Sequence, residues 1–250
     1  MLTYLNIAEK AIRKAGALLK SNFEQSPEVA HVEQHDIKLK IDVASQNLIT
    51  DEILMSYPDH MILGEEGNAG NENSEYRWIV DPIDGTVNYY YGIPHFCISI
   101  ALQKSKETIL GLIYEPLLDK LWTAELGKGA RYNDEKIKVS NRDQLSSSIM
   151  YVGPGKTASS LSASMKTFIN ASSQARKMRL MGSAALGMAY IASGKFDVYL
   201  ESRISLWDIA AGKLLIEEAG GAVELVEYKD EPNVYSIRAQ NGKLDISGLI

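Results

Sequence analysis

The hydrophobic pattern of the chain changes character near residues 140–155, and this change most constrains the fold. Before it, residues 96–102 alternate with the two-residue period of a β-strand, and two further strands follow at 108–114 and 120–124. Beyond it, stretches typical of helices alternate with short apolar strands. The pattern therefore predicts an α+β first half and an α/β second half.

The remaining predicted elements fit this division, with residues 1–145 and 146–250 as two halves of one compact unit. The predicted helices are 2–23, 43–56, 158–170, 183–193 and 206–218. The further predicted strands are 60–63, 78–80, 148–152, 196–200, 222–226 and 234–239.

Composition excludes several classes of protein. The chain has 250 residues, of which 45% are hydrophobic and 23% charged, so a large core can form without disulfide bonds. Its only cysteine, Cys97, is expected to be a small buried side chain. A formal net charge of −6 gives no general attraction to nucleic acid or to an anionic membrane. With no apolar run long enough to cross a membrane, a cytoplasmic protein is expected.

Acidic residues gather where predicted strands end or helices begin. Glu65 and Glu66 follow a strand and Gly64, and Asp208 lies in the first turn of a helix that begins after Ser205. Either group alone also fits a simpler interpretation. The first could be a solvated loop, and the second an acid stabilised by the helix dipole.

The most informative segment follows the strand at 78–80 and reads Asp81-Pro82-Ile83-Asp84-Gly85-Thr86. Proline fixes its own φ and lacks an N–H, so we expect a turn that brings Asp81 and Asp84 to one side, together with a free Ile83 carbonyl. Two carboxylates and a carbonyl form an oxygen site suited to Mg²⁺. The exposed N–H groups of Gly85 and Thr86 could hold a phosphate.

Convergence of the three clusters would create a strong electrostatic problem. Four carboxylates that meet without a cation repel one another, and these are Glu65, Asp81, Asp84 and Asp208. Two or three Mg²⁺ ions would remove that repulsion, with Mn²⁺ as a substitute. Such ions can activate water on one side of a phosphate and stabilise the leaving oxygen on the other.

Three motifs, in this order and spacing, resemble those of the inositol monophosphatase family. They are Glu65-Glu66, the run from Asp81 to Tyr89, and the run from Trp207 to Gly221. The family belongs to a superfamily of lithium-sensitive, Mg²⁺-dependent phosphatases. The resemblance covers nearly the whole chain, and it implies a layered α-β-α-β-α sandwich that forms a homodimer.

The resemblance also implies roles for particular residues. It assigns metal binding to Glu65, Asp81, the Ile83 carbonyl, Asp84 and Asp208. It assigns catalysis to Glu65 and to Thr86, which Asp42 would orient. It assigns substrate binding to Asp84, Gly85, Thr86, Gly182, Ser183, Ala184 and Glu201. Glu201 would accept a hydrogen bond from a sugar-like hydroxyl, although an ordinary acid at a strand end is the simpler alternative.

The sequence departs from the family pattern in two places. The usual Val-Thr pair before the second helix is absent, because residues 38–41 read Lys-Leu-Lys-Ile, and Gln46 replaces a common acid. This region helps to hold a third metal ion in the family. Gly187 also replaces an acid that many relatives carry near the substrate pocket.

These observations predict a Mg²⁺-dependent phosphate monoester hydrolase, with myo-inositol phosphate as the first candidate substrate. Fructose 1,6-bisphosphate, 3′-phosphoadenosine 5′-phosphate and histidinol phosphate are alternatives with the same metal chemistry. A non-catalytic module that associates with RNA or transcription is a distant alternative. It is supported only by Lys38, Lys40 and the basic run at 176–179.

Overall fold

A computed structural model of the chain describes residues 3–25, 28–32, 37–155 and 157–249. The helices are α1 (Tyr4–Asn22), α2 (Lys40–Ser56), α3 (Thr86–Tyr90), α4 (Ala158–Ser172), α5 (Ala184–Ala192) and α6 (Leu206–Glu218). The strands are β1 (Val29–Val32), β2 (Ile37–Leu39), β3 (Met61–Gly64), β4 (Gly67–Gly70), β5 (Tyr76–Asp84), β6 (Cys97–Lys104), β7 (Glu107–Glu115), β8 (Lys120–Glu125), β9 (Gly129–Tyr132), β10 (Glu135–Lys136), β11 (Ile149–Val152), β12 (Lys177–Arg179), β13 (Val198–Ser205), β14 (Ala222–Glu227) and β15 (Val234–Gln240).

These strands form two large sheets and a small antiparallel sheet of β1 and β2. The first sheet has eight strands in the order β10-β9-β8-β7-β6-β5-β3-β4, and only the β3–β5 pair is parallel. The second sheet has five strands in the order β12-β11-β13-β15-β14, in which β11 is parallel to both of its neighbours. A meander therefore precedes a mixed sheet, as the change in hydrophobic pattern predicts.

Three hydrophobic cores fix the order of the layers. Helices α1 and α2 pack on one face of the first sheet, where Ile12, Ile49 and Trp78 belong to one buried cluster. Helices α5 and α6 fill the space between the sheets, and α4 covers the outer face of the second sheet. The predicted α-β-α-β-α sandwich is therefore confirmed. Its division near residues 140–155 into two halves stays a prediction about folding units.

The structure refines several predicted boundaries. All five predicted helices are present, but α2 begins three residues early, since the Asp42 carboxylate accepts a hydrogen bond from the Leu39 N–H at 2.6 Å. The short helix α3 was not predicted, because a segment this short carries little periodicity. The same holds for six short strands, which are β1, β2, β4, β9, β10 and β12. Among the described residues, no helix combines the length and the apolar character needed to cross a membrane.

Candidate active site

A cleft of about 760 Å³ opens where β5, α3, α5, β13 and α6 come together. Its lining includes every predicted site residue except Asp42, and these are Glu65, Asp81, Ile83, Asp84, Gly85, Thr86, Gly182, Ser183, Ala184, Glu201 and Asp208. Residues separated by more than 140 positions in sequence thus face one space.

The segment from Asp81 to Asp84 is not the turn that its proline suggested. Strand β5 continues to Asp84, and its pairing with β6 shifts between these two residues. The irregularity has a local cause, since Pro82 has no N–H for the ladder and the Ile83 N–H donates to Asp81 Oδ1 at 2.9 Å. A bulge in a strand, rather than a turn, therefore brings both carboxylates toward the same site.

The carboxylate of Asp84 is anchored at the beginning of α5. Its Oδ2 accepts hydrogen bonds from the Ser183 hydroxyl at 2.6 Å and from the Ala185 N–H at 2.7 Å. Its Oδ1 accepts a bond from the Ala184 N–H at 3.2 Å. These donors hold a negative charge at the positive end of the helix. Cys97 is buried, as predicted, and its thiol also donates to Asp84 Oδ2 at 3.7 Å.

Asp208 supplies the third carboxylate from the first turn of α6. Its Oδ2 accepts a hydrogen bond from the Ser205 N–H at 3.1 Å, which fixes the entry of the helix. One oxygen from each of Asp81, Asp84 and Asp208 lies within 4.8 Å of the other two. This spacing suits oxygens that surround one or two divalent cations.

Glu65 lies beside this group at the turn between β3 and β4. Its N–H donates to the Val80 carbonyl at 3.1 Å, which ties the turn to β5. Gln46 braces the same turn, because its Oε1 accepts from the Glu66 N–H and its Nε2 donates to the Gly67 carbonyl, both at 2.9 Å. The residue that replaces a common acid is thus engaged in holding the backbone around Glu65.

The electrostatics of the cluster favour a bound cation. Burial, together with the nearby charges of Glu65 and Asp208, raises the pKa of Asp81 well above its ordinary value. Burial also raises the pKa of Asp84, while its hydrogen bonds from Ser183 and α5 oppose that shift. Asp81 Oδ2 is buried and accepts no hydrogen bond from the part of the chain that the structure describes. This donor set of hard oxygens therefore fits a divalent metal ion such as Mg²⁺.

The beginning of α3 closes one side of the cleft. Gly85 has φ +99°, and a Cβ there would lie 3.1 Å from the Gly182 and His95 carbonyl oxygens. The Thr86 hydroxyl donates to the Ile83 carbonyl at 2.9 Å, so that carbonyl is not free as predicted, although its second lone pair can still bind a cation.

Asn88, to which sequence reasoning gave no role, connects α3 to the segment before α5. Its Nδ2 donates to the carbonyls of His95 at 2.8 Å and Met181 at 2.9 Å. Asp42 is buried outside the cleft lining, where its Oδ2 caps α2. The predicted orientation of Thr86 by Asp42 stays a prediction.

The opposite wall of the cleft was also missed. It comprises Tyr151, Pro154, Gly155, Thr157, Ala158, Leu161 and Ile204, together with the predicted Glu201. The only signal for it was the Gly-Pro-Gly break at 153–155, which reads as an ordinary chain reversal. Gly187 now has a steric explanation, because a Cβ there would overlap the Tyr151 ring.

Comparison with known proteins places this geometry in a family. The family model described as the inositol monophosphatase family matches residues 1–245. The Nus factor SuhB of Xylella fastidiosa is 40% identical over 234 residues, which cover 92% of this chain and 84% of the relative. A fructose-1,6-bisphosphatase/inositol-1-monophosphatase of Thermotoga maritima is 38% identical over 236 residues, covering 93% and 88% of the two chains.

A solved structure supports the same relationship. The extragenic suppressor protein suhB of Bartonella henselae superposes with a TM-score of 0.88 at 33% identity, over 96% of this chain and 94% of that one. The fold, the buried aspartate cluster and the match along nearly the whole sequence all lead to one conclusion. This chain belongs to the inositol monophosphatase family of phosphatases.

Proposed function

We propose that this chain hydrolyses phosphate monoesters with Mg²⁺, and that its substrate is a myo-inositol phosphate. The observation that carries the proposal is one cleft that holds both the Asp81, Asp84 and Asp208 cluster and the separate acceptor Glu201. The cluster suits metal ions and phosphate, while Glu201 suits a hydroxyl-rich alcohol. The Thermotoga maritima relative is named fructose-1,6-bisphosphatase/inositol-1-monophosphatase, which supports this substrate and also the alternative fructose 1,6-bisphosphate.

The residues divide the reaction among them. Asp81, Asp84, Asp208, Glu65 and the Ile83 carbonyl would hold two ions, with a third left open by the altered segment around Gln46. When bound, these ions activate water and neutralise charge on the phosphate and the leaving oxygen. The remaining roles belong to groups that surround the phosphate.

Those groups position the phosphate and the attacking water. The N–H groups of Gly85 and Thr86, at the beginning of α3, would donate to phosphate oxygens. Because the Thr86 hydroxyl proton is committed to the Ile83 carbonyl, Thr86 Oγ1 would orient the attacking water by accepting a hydrogen bond from it. The Glu65 carboxylate would take the proton that this water releases, and the departing alcohol oxygen would take a proton from solvent water.

A comparison of four substrates tests the proposal. We expect kcat/KM with Mg²⁺ to be at least about tenfold higher for myo-inositol 1-phosphate than for the other three, because Glu201 in the cleft wall would accept a hydroxyl of inositol. Its charge would repel the second phosphate of two of the alternatives, and histidinol phosphate has no free hydroxyl to donate to it. Those three are fructose 1,6-bisphosphate, 3′-phosphoadenosine 5′-phosphate and histidinol phosphate. A higher value for any of them would transfer the proposal to that substrate. Asp208→Asn protein, purified in parallel, controls for contaminating phosphatases.

A second function, in transcription, is supported by the relatives named Nus factor SuhB. Arg176, Lys177 and Arg179 are exposed at the edge strand β12, where a polyanion could reach them. We expect RNA binding that weakens as salt rises and is reduced in the Arg176→Glu/Arg179→Glu variant. Unchanged binding in this variant would remove that surface as the candidate.

A homodimer in the cytoplasm remains an expectation of the family resemblance.

A further inference from the structure

Glu201 is held from two directions within the cleft wall. Its Oε2 accepts a hydrogen bond from the Tyr199 hydroxyl, and its Oε1 accepts one from the Gly155 N–H at 3.3 Å. Tyr199 and Glu201 are two positions apart on β13, so their side chains leave the same face of the sheet. The strand itself therefore sets the pair side by side.

Tyr199 is a rigid donor. It is completely buried, and its ring packs against the Tyr151 ring with centroids 4.9 Å apart. Burial and the adjacent Glu201 charge raise the pKa of the Tyr199 hydroxyl well above its ordinary value, so this group keeps its proton. A phenol with a fixed ring and a retained proton defines one direction for its partner oxygen.

Gly153 provides the space in which this arrangement exists. A Cβ at this position would overlap Glu201 Oε2, whereas glycine lets the carboxylate lie against the backbone. The Gly153 N–H donates to the Leu200 carbonyl at 2.9 Å, which fixes that backbone beside β13. The Gly-Pro-Gly break is thus a packing requirement of Glu201 as well as a chain reversal.

We propose that Tyr199 is a positioning residue that, with Gly153 and the Gly155 N–H, aims the Glu201 carboxylate at a hydroxyl of the substrate alcohol. The inference rests on the proposed function and adds the device that gives Glu201 its orientation. Carboxylate oxygens have further lone pairs, so Glu201 can accept a substrate hydroxyl while it keeps both protein donors. Loss of the Tyr199 hydroxyl would remove one of the donors that fix the direction of the Glu201 carboxylate.

Tyr199→Phe removes one oxygen and keeps the buried ring. We expect the KM for myo-inositol 1-phosphate to rise about tenfold, the size of effect typical of one hydrogen bond to a charged group, with kcat changed less than about twofold. The KM for p-nitrophenyl phosphate, which has no alcohol hydroxyls, should not change. Tyr235→Phe is the matched control, since the Tyr235 hydroxyl binds Glu227 outside the cleft lining.

Two further variants separate positioning from structural support. Glu201→Gln should raise the same KM, and Tyr199→Phe should add no further effect in the Glu201→Gln background. Gly153→Ala should raise that KM with Tyr199 intact, because it displaces Glu201 directly. It also provides the test if Tyr199→Phe proves poorly folded.

Three outcomes would contradict the inference. An equal KM increase for p-nitrophenyl phosphate would give Tyr199 a merely structural role. An unchanged KM for myo-inositol 1-phosphate in Tyr199→Phe, alongside a raised KM in Glu201→Gln, would overturn the positioning role and leave the proposed function intact. Wild-type protein that cleaves p-nitrophenyl phosphate but no polyol phosphate would overturn the proposed function, and this inference with it.

Discussion

Carboxylates are buried in this molecule in two different ways. Glu52 and Asp197 are buried beside cations that the chain itself supplies, because Glu52 pairs with Lys10 and Lys14 and Asp197 pairs with Arg142 at 2.8 Å. Asp81 and Asp84 are just as buried, but their charged neighbours are other carboxylates. A buried charge needs compensation. Glu52 and Asp197 are therefore structural, whereas Asp81 and Asp84 require a cation from outside the chain.

The most severe test of this distinction is Asp84→Asn. The amide keeps the shape of the side chain but removes a charge that the ions need. We expect kcat for phosphate monoesters to fall at least about 100-fold at saturating Mg²⁺, because loss of even an indirect metal contact costs about 10–100-fold. Asp119→Asn, an exposed acid outside the cleft lining, is the control. Near-normal turnover of Asp84→Asn would show that the carboxylate cluster takes no part in the reaction.

For Asp197→Asn we expect the protein to lose stability and to keep its kcat. Asp197 also accepts hydrogen bonds from the Ser140 hydroxyl and from the Ile149 N–H, so its charge is part of a buried network. Its neutralisation should lower the free energy of unfolding by about 3 kcal/mol, which corresponds to a fall in Tm of about 6–12 °C. The remaining folded protein should keep its kcat. A loss of kcat without a loss of stability would break the comparison.

The smallest predicted effect is a change in how stability depends on pH when Glu52 is replaced. The hydrogen bonds from Lys10 and Lys14 lower the pKa of Glu52, so its stabilising contribution is present above its unfolded-state pKa and is lost as pH falls through the lowered value. We therefore expect Glu52→Gln to destabilise the protein at pH 7 and to lose less stability than wild type between pH 5 and pH 3. Thermal unfolding at each pH measures this difference. Parallel curves for the two proteins would contradict a folded-state shift at Glu52.

Sequence could predict the side of the site that is built from contiguous motifs. Asp81 and Asp84 lie three residues apart after a buried strand, and Asp208 begins a helix, so residue type and local pattern suffice. The bulge at Pro82 and the anchoring of Asp84 by Ser183 could not be predicted from spacing. They depend on the pairing of β5 with β6 and on the approach of α5.

The cleft wall around Glu201 shows why the other half of the site could not be predicted. Tyr199, Glu201, Gly153 and Gly155 become neighbours only when β11 and β13 pair in the correct register. Tyr199 reads as an ordinary core residue in its strand, and the fit of Glu201 against Gly153 is visible only in three dimensions. Short helices such as α3 also leave no recognisable pattern in the sequence, although α3 presents Thr86 to the site.

Thermal unfolding with and without Mg²⁺ tests the central claim most directly, because it needs no substrate. At an Mg²⁺ concentration about 100 times its Kd, binding should stabilise the wild-type protein by about 2.7 kcal/mol and raise Tm by about 5–10 °C. Glu52→Gln should keep this response, whereas Asp81→Asn and Asp84→Asn should lose most of it. An equal rise in Tm for all four proteins, or none for wild type, would contradict a divalent metal site at this carboxylate cluster.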